Sequence, residues 1–268
     1  MTKGKHPIAL TIAGSDPGGG AGIQADLKTF HQFGAYGTSA IVALTAQNTT
    51  GVKGVHPVPV DFVHAQIEAL AADLPPAAVK TGMLATRALV ECVASLVALH
   101  RWDDYVLDPV MVATSGHRLL EPDAEDAVRR LLLPRAKLVT PNLDEAEILV
   151  GFPVRDTSGM ERAGRVLLDL GARAALMKGG HLGGETLVDI LVTPEASVRY
   201  ERPRIHTTST HGTGCTLSAA VTAGLAFGRS LDRSVSDALD FVAHGIAEAP
   251  GLGSGHGPLS HFVEAPRE

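Results

Sequence analysis

Cysteine is scarce in this chain of 268 residues. Cys92 and Cys215 are the only two, far apart and outside any metal-ligand spacing, which argues against a disulfide framework and a zinc site. A reducing, cytoplasmic setting is expected. Long runs of one charge are also missing and the net charge is −6, so neither a nucleic-acid footprint nor a polybasic membrane face is expected. A small-molecule partner fits better. No stretch approaches the roughly 18 consecutive apolar residues of a membrane span, and the apolar run at 8–14 is too short for a signal-peptide core. No Pro/Ser linker, low-complexity tract or internal repeat divides the chain, so one domain over 1–268 is expected, with 45% hydrophobic residues to fill its core.

What is present alternates. Strand-like runs at 8–14, 39–47, 77–82, 105–111 and 137–141 are separated by helical patterns at 22–34, 62–74, 86–100 and 124–136, with a further helix at 143–151. Ile67, Leu70 and Leu74 illustrate the helical spacing. That order predicts βαβ units and a mostly parallel α/β sheet. After residue 171 three strands, 174–179, 186–192 and 198–205, follow one another without helices, which predicts an antiparallel edge. Helical patterns at 216–228 and 235–249 close the chain.

Two glycine-rich stretches stand at predicted strand-to-helix junctions. SDPGGGAGIQAD (15–26) offers backbone N–H groups to an anion, or is simply a turn that needs glycine. Its GAGIQA matches a dinucleotide fingerprint, but no acidic residue between Asp26 and Asp61 is available to hold a ribose. No Walker A pattern occurs. HGTGC (211–215) precedes the small-residue helix, so the amides of Gly212, Thr213, Gly214 and Cys215 are placed to converge on a charged oxygen such as a transferring phosphoryl group. The helix dipole is expected to lower the Cys215 thiol pKa there. The alternative is the first turn of a buried helix.

Three more strand ends carry polar groups, where open α/β sheets bind ligands. Asp108 is a magnesium or phosphate-side acid, or a strand-end turn. Asn142 and Glu145, three apart, are water-mediated magnesium ligands on one helix face, or an N-terminal cap. Lys178 neutralises phosphates, or is a solvated lysine. Cys92 reads as a small core residue. His181 and His211 border these stretches.

AGSDPGGGAGIQADLKTF, ALTAQNT, VKTGML, LDPVMVATSG, TPNLDEAE, KGGH, HGTGCTLSAA and GHGPL occur in the order seen in the hydroxymethylpyrimidine/phosphomethylpyrimidine kinases of the ribokinase-like superfamily, which the chain resembles end to end. The resemblance implies a three-layer ribokinase-like sandwich and a homodimer. It implies a kinase that uses MgATP to phosphorylate 4-amino-5-hydroxymethyl-2-methylpyrimidine and then its monophosphate, in thiamine biosynthesis. Carried over by motif, Gly14, Asp26, Gln47, Met83 and Val110 form the pyrimidine pocket. Asp108, Asn142, Glu145 and Lys178 surround the nucleotide phosphates and magnesium, with Asp108 and Glu145 reaching the metal through water. Gly212, Gly214 and Cys215 form the anion hole, and Lys178 belongs with them to the catalytic set. Most ribokinase-like enzymes carry an aspartate base where this subgroup has cysteine, so Cys215 is expected to position the hydroxyl with partial base character. A pyridoxal or pyridoxine kinase of the same subgroup and a non-catalytic pyrimidine-binding regulator are the alternative readings.

Overall fold

A computed structural model describes residues 6–111, 120–180 and 182–266. His181 and the VATSG part of the fourth motif lie outside the described residues.

The elements run β1 (Ile8–Ser15), α1 (Gly22–Gln32), β2 (Tyr36–Asn48), β3 (Gly51–Pro57), α2 (Val60–Asp73), β4 (Ala78–Thr81), α3 (Arg87–Leu99), β5 (Tyr105–Leu107), α4 (Pro122–Ala127), β6 (Leu138–Val139), α5 (Leu143–Val150), α6 (Thr157–Asp169), β7 (Ala175–Met177), β8 (Thr186–Val192), β9 (Ser197–Pro203), α7 (Thr213–Ala226) and α8 (Leu231–Ala247). The nine described strands form one sheet in the order β3-β2-β1-β4-β5-β6-β7-β8-β9. Strands β2, β1, β4, β5, β6 and β7 are parallel, and β3, β8 and β9 join antiparallel. The sheet therefore has an antiparallel addition at both edges, not only the predicted one.

Alternate residues of the short central strands enter opposite cores, which makes three layers. Val79, Leu107, Val139 and Met177 pack with Ile67 of α2, Val93 of α3 and Leu149 of α5. Ala78, Val106, Leu138 and Leu176 pack with Phe30 of α1, Val221 of α7 and Phe241 of α8. Each fully buried Val, Leu, Ile or Phe side chain contributes about 1.5–3 kcal/mol. Helix α7 is buried continuously from Thr216 to Ala226 because its side chains are small. A Cβ on Gly224 would stand 2.6 Å from Ser234 Oγ, so glycine lets α7 and α8 close up. The buried hydroxyls have partners: Thr222 donates to Ser218 O at 2.7 Å, and Ser218 Oγ lies 3.1 Å from both Gly214 O and Asp108 Oδ2, between which its one hydrogen is shared.

Two elements lack a strong sequence signal. β3 follows a two-residue turn, Thr49–Thr50, but its VKGVHP has two glycines or prolines and no clean alternation. α6 carries Met160, Ala163 and Leu167 on one face and an Asp156 cap, diluted by Gly159 and Gly164. The predicted helix at 124–136 is shorter than expected. It loosens into a π turn at 128–132 and a 3-10 turn at 133–135, where Pro134 cannot supply a helical N–H.

Candidate active site

Neighbouring strands run outward from β1 in both directions, to β2 on one side and β4 on the other, and the crevice at such a reversal is where open α/β sheets bind ligands. A cavity of about 1000 Å³ lies there. It is lined by Gly14, Gln47, Met83, Val110, Asp108, Asn142, Glu145, Lys178, Gly212, Gly214 and Cys215, so every residue carried over from the resemblance reaches it except Asp26. Asp26 is fully buried behind the wall, where Lys80 donates to its Oδ1 at 2.8 Å and Thr11 to its Oδ2 at 2.6 Å. Burial raises the Asp26 pKa, against the opposing pull of Lys80. It therefore makes no contact with the cavity itself, but bonds Lys80, which does line it.

The wall that carries Gly14, Gln47 and Met83 is shaped by local irregularities. A register shift between Ala46 and Gln47 on β2 turns the Gln47 side chain toward the cavity, and another between Ala13 and Gly14 bends the end of β1. A Cβ on Gly14 would lie 2.6 Å from Met83 Cε, so glycine there makes room for the thioether.

The other end is charged and follows the strand ends. Asp108 stands just after β5 and accepts from Thr140 at 3.3 Å, Ser218 at 3.1 Å and Lys178 at 3.5 Å. Lys80 Nζ is 4.0 Å from its other oxygen, and Lys178 Nζ is also 3.9 Å from Glu145. Burial alone would lower the pKa of Lys178, but Asp108 and Glu145 outweigh it and the ammonium is held. Glu145 is pushed up to about 7 by burial and by Asp108, with Lys178 opposing.

Asn142 caps α5 in a reciprocal box: its side chain accepts from Glu145 N at 2.9 Å, while Glu145 Oε2 accepts from Asn142 N at 2.9 Å. The cap reading of the three-residue spacing therefore holds for Asn142, and Glu145 serves both the cap and the cavity wall.

The two glycine stretches meet. Gly212 has φ +79° and an added Cβ would be 1.7 Å from Gly20 O, so HGTGC lies directly against the SDPGGG loop. The loop's amides do bind an anion, but it is the protein's own: Asp16 accepts from Gly18 at 2.8 Å, Gly20 at 3.1 Å and Ala21 at 2.9 Å. Despite burial, His211 and the Gly18 and Ala21 amides lower its pKa. His211 Nε2 donates to Asp16 Oδ2 at 2.9 Å, and the His211 N–H donates to Gly257 O at 3.0 Å, tying in the GHGPL tail. The amides of Gly214 and Cys215 occupy the first turn of α7, where helix geometry supplies no carbonyl partner.

The expected depression of the Cys215 thiol does not occur. Burial pushes it up to about 12, and Asp108 and Asp26 add to this, while Lys80 and the Gly22 N–H pull the other way. Desolvation and two carboxylates outweigh the helix terminus. Cys215 is thus a neutral thiol at neutral pH. Cys92, expected in the core, is only half-buried on α3 and packs against the core from outside.

Sequence reasoning missed Lys80, Asp16 and Thr45. The signal for Lys80 was available, since a lysine inside the apolar strand AAVKTG has to find a buried partner.

Residues 16–260 match the family model described as phosphomethylpyrimidine kinase. The chain belongs to the phosphomethylpyrimidine kinase family. It is 44% identical to the hydroxymethylpyrimidine/phosphomethylpyrimidine kinase of Bacillus subtilis, over 95% of this chain and 94% of that one. It is 49% identical to the protein of the same name from Rhizobium meliloti, over 95% and 97%. Among solved structures, this phosphomethylpyrimidine kinase family member is similar to an ADP complex of Bacillus subtilis pyridoxal kinase, at 37% identity and TM-score 0.90, covering 96% of this chain and 98% of that one. A phosphomethylpyrimidine kinase from Clostridium difficile gives 41% identity and TM-score 0.81, over 90% and 99%. The chain is a kinase with the ribokinase-like architecture.

Proposed function

We propose that this kinase transfers the γ-phosphoryl group of ATP to the hydroxymethyl oxygen of 4-amino-5-hydroxymethyl-2-methylpyrimidine, and then a second one to the phosphate of the monophosphate. The observation that carries this reading is the two-ended cavity: Gln47, Met83 and Val110 at one end, and Lys178 with the first turn of α7 at the other. Gln47 both donates and accepts, as an aminopyrimidine edge requires, while Met83 and Val110 offer apolar faces.

Lys178 and the amides of Gly214 and Cys215 neutralise charge on the phosphoryl group in flight. The Cys215 thiol, protonated at neutral pH, positions the attacking hydroxyl rather than ionising to take its proton. A loose transition state leaves the attacking oxygen little need of a strong base.

Asp108 and Glu145 suit a magnesium ion that arrives with ATP. Both are hard carboxylate donors beside the cavity, and no group of three His, Cys, Asp or Glu side chains forms a dedicated cage among the described residues. Bound there, the ion would neutralise phosphate charge.

A pyridoxal kinase is the second reading, favoured by solved pyridoxal kinases that match over 96% of the chain at 34–37% identity. The named pyrimidine kinases at 41–49% identity favour the first. A cytoplasmic homodimer is part of the same proposal. Exposed Leu44 on β2 and Val60 and Phe62 at the start of α2 support a partner surface near that sheet edge, and sedimentation of the purified protein checks it.

Phosphorus NMR with MgATP and either substrate tests the function. A pyrimidine monophosphate followed by the pyrophosphate supports it. Pyridoxal phosphate as the dominant product transfers the assignment to the second reading, and untouched ATP overturns both.

A further inference from the structure

Gln47 sits between two groups whose hydrogens decide which way its amide points. On one side His211 Nε2 is 2.9 Å from Asp16 Oδ2 and 3.4 Å from the Gln47 amide. The Asp16 carboxylate already accepts three backbone N–H groups and has only lone pairs to offer, so His211 Nε2 carries a hydrogen toward it. With Gln47 Nε2 facing His211, a donor meets a donor. On the other side Thr45 Oγ1 is 2.9 Å from Ser15 O and 3.2 Å from Gln47 Oε1. Its single hydrogen cannot serve both carbonyls.

Turning the amide by half a revolution removes both conflicts. Thr45 then donates to Ser15 O and accepts from Gln47 Nε2, while His211 Nε2–H is shared between Asp16 and Gln47 Oε1. Amide oxygen and nitrogen are distinguished by such networks rather than by shape. We infer that Asp16 and His211 are positioning residues that fix the polarity of Gln47, with Oε1 on the His211 side and Nε2 on the Thr45 side.

After those contacts the amide keeps one N–H and one oxygen lone pair for the cavity. An aromatic ring edge that places an acceptor nitrogen beside an exocyclic amine meets both. Its ring nitrogen accepts from Nε2 on the Thr45 side, and its amine donates to Oε1 on the His211 side. A ring with hydrogen in place of the amine loses the second contact, whereas a hydroxyl there can still donate to Oε1. The link from glycine loop to HGTGC thus selects the ring as well as shaping the phosphate site. The inference rests on the reading of Gln47 as the ring-recognition residue.

Two measurements test it. In wild-type enzyme labelled with 15N-histidine, assigned by its loss in His211→Gln, Nε2 of His211 is expected to be protonated at neutral pH. An unprotonated Nε2 overturns the inference without any variant having to fold. In steady-state kinetics, His211→Leu is expected to raise the pyrimidine KM about tenfold while the ATP KM stays within about twofold, and His211→Gln, which keeps an N–H donor, to recover most of the loss. Equal changes in both KM values, or none, contradict it. Gln47→Ala separates the two levels. If it leaves the pyrimidine KM unchanged, the ring reading fails and takes the inference with it. If it raises that KM while His211→Leu does not, only the inference fails.

Discussion

Gln47, Met83 and Val110 are uncharged and are aimed by a bulge, a loop and a glycine that leaves space, whereas Asp108, Glu145 and Lys178 are charged, Asp108 and Lys178 standing directly beyond β5 and β7 and Glu145 in the first turn of α5. The charged end is held by mutual attraction: Lys178 lies within 4 Å of both carboxylates, and removing any one member leaves buried charge uncompensated. The neutral end is held by hydrogen-bond direction, through Thr45, His211 and Asp16. In the proposed function, one cavity recognises phosphate by charge balance and a ring by the orientation of a single amide. Changes at the first end are expected to cost rate, and changes at the second to cost selectivity.

The largest effect is expected at the seam between the ends. Gly212→Ala places a Cβ 1.7 Å from Gly20 O at a φ of +79°, so the HGTGC turn and the glycine loop cannot both stay in place. A stability loss of about 4 kcal/mol or more, read by urea denaturation, is the expected result, with loss of both binding functions. At the charged end, Lys178→Met should lower kcat by roughly 10²–10³, with the pyrimidine KM nearly unchanged, in initial-rate assays.

A third prediction concerns the tail that reaches the seam. Buried His261 bonds Thr216 Oγ1 at 3.0 Å, and burial, aided by Lys28, lowers its pKa from 6.5 to about 4. Folding therefore favours the neutral ring. That stabilisation is complete above pH 6.5 and is lost as pH falls from 6.5 through 4, on the order of 3 kcal/mol in all. Denaturation midpoints across this window should show that slope in the wild type and a flatter one in His261→Gln.

The smallest effect is expected at Cys215. Because its thiol is pushed up to about 12, the kcat profile between pH 6 and 9 should show no limb that disappears in Cys215→Ser, and that variant should keep kcat within about tenfold. A thiolate base would instead give a limb tied to Cys215 and a larger loss.

The charged end was legible from sequence because Asp108 and Lys178 each follow a short apolar run and Glu145 opens the helix after another, and such runs in alternation with helices place their ends on one rim of a parallel sheet. Asp108 and Lys178 needed little more than that. The ionisation of Cys215 was not legible, because a helix terminus is a local feature while burial and the approach of Asp108 and Asp26 come from β5 and α1. Asp26 sits at the right place in its motif but faces Lys80, and only tertiary packing shows on which side of the wall its carboxylate lies. The glycine loop reads from sequence as a site for an outside anion or as a turn, and only the fold shows that its own Asp16 takes the amides. β3 and α6 were hidden by glycines that dilute the periodic signal.

The division of labour in the cavity is tested most directly by initial rates of Gln47→Ala and Lys178→Met with ATP and the pyrimidine varied in turn. The account predicts that Gln47→Ala raises the pyrimidine KM and leaves that of ATP in place, while Lys178→Met lowers kcat with the pyrimidine KM preserved. If both variants shift both substrates together, the two ends are not separate sites and the account is wrong.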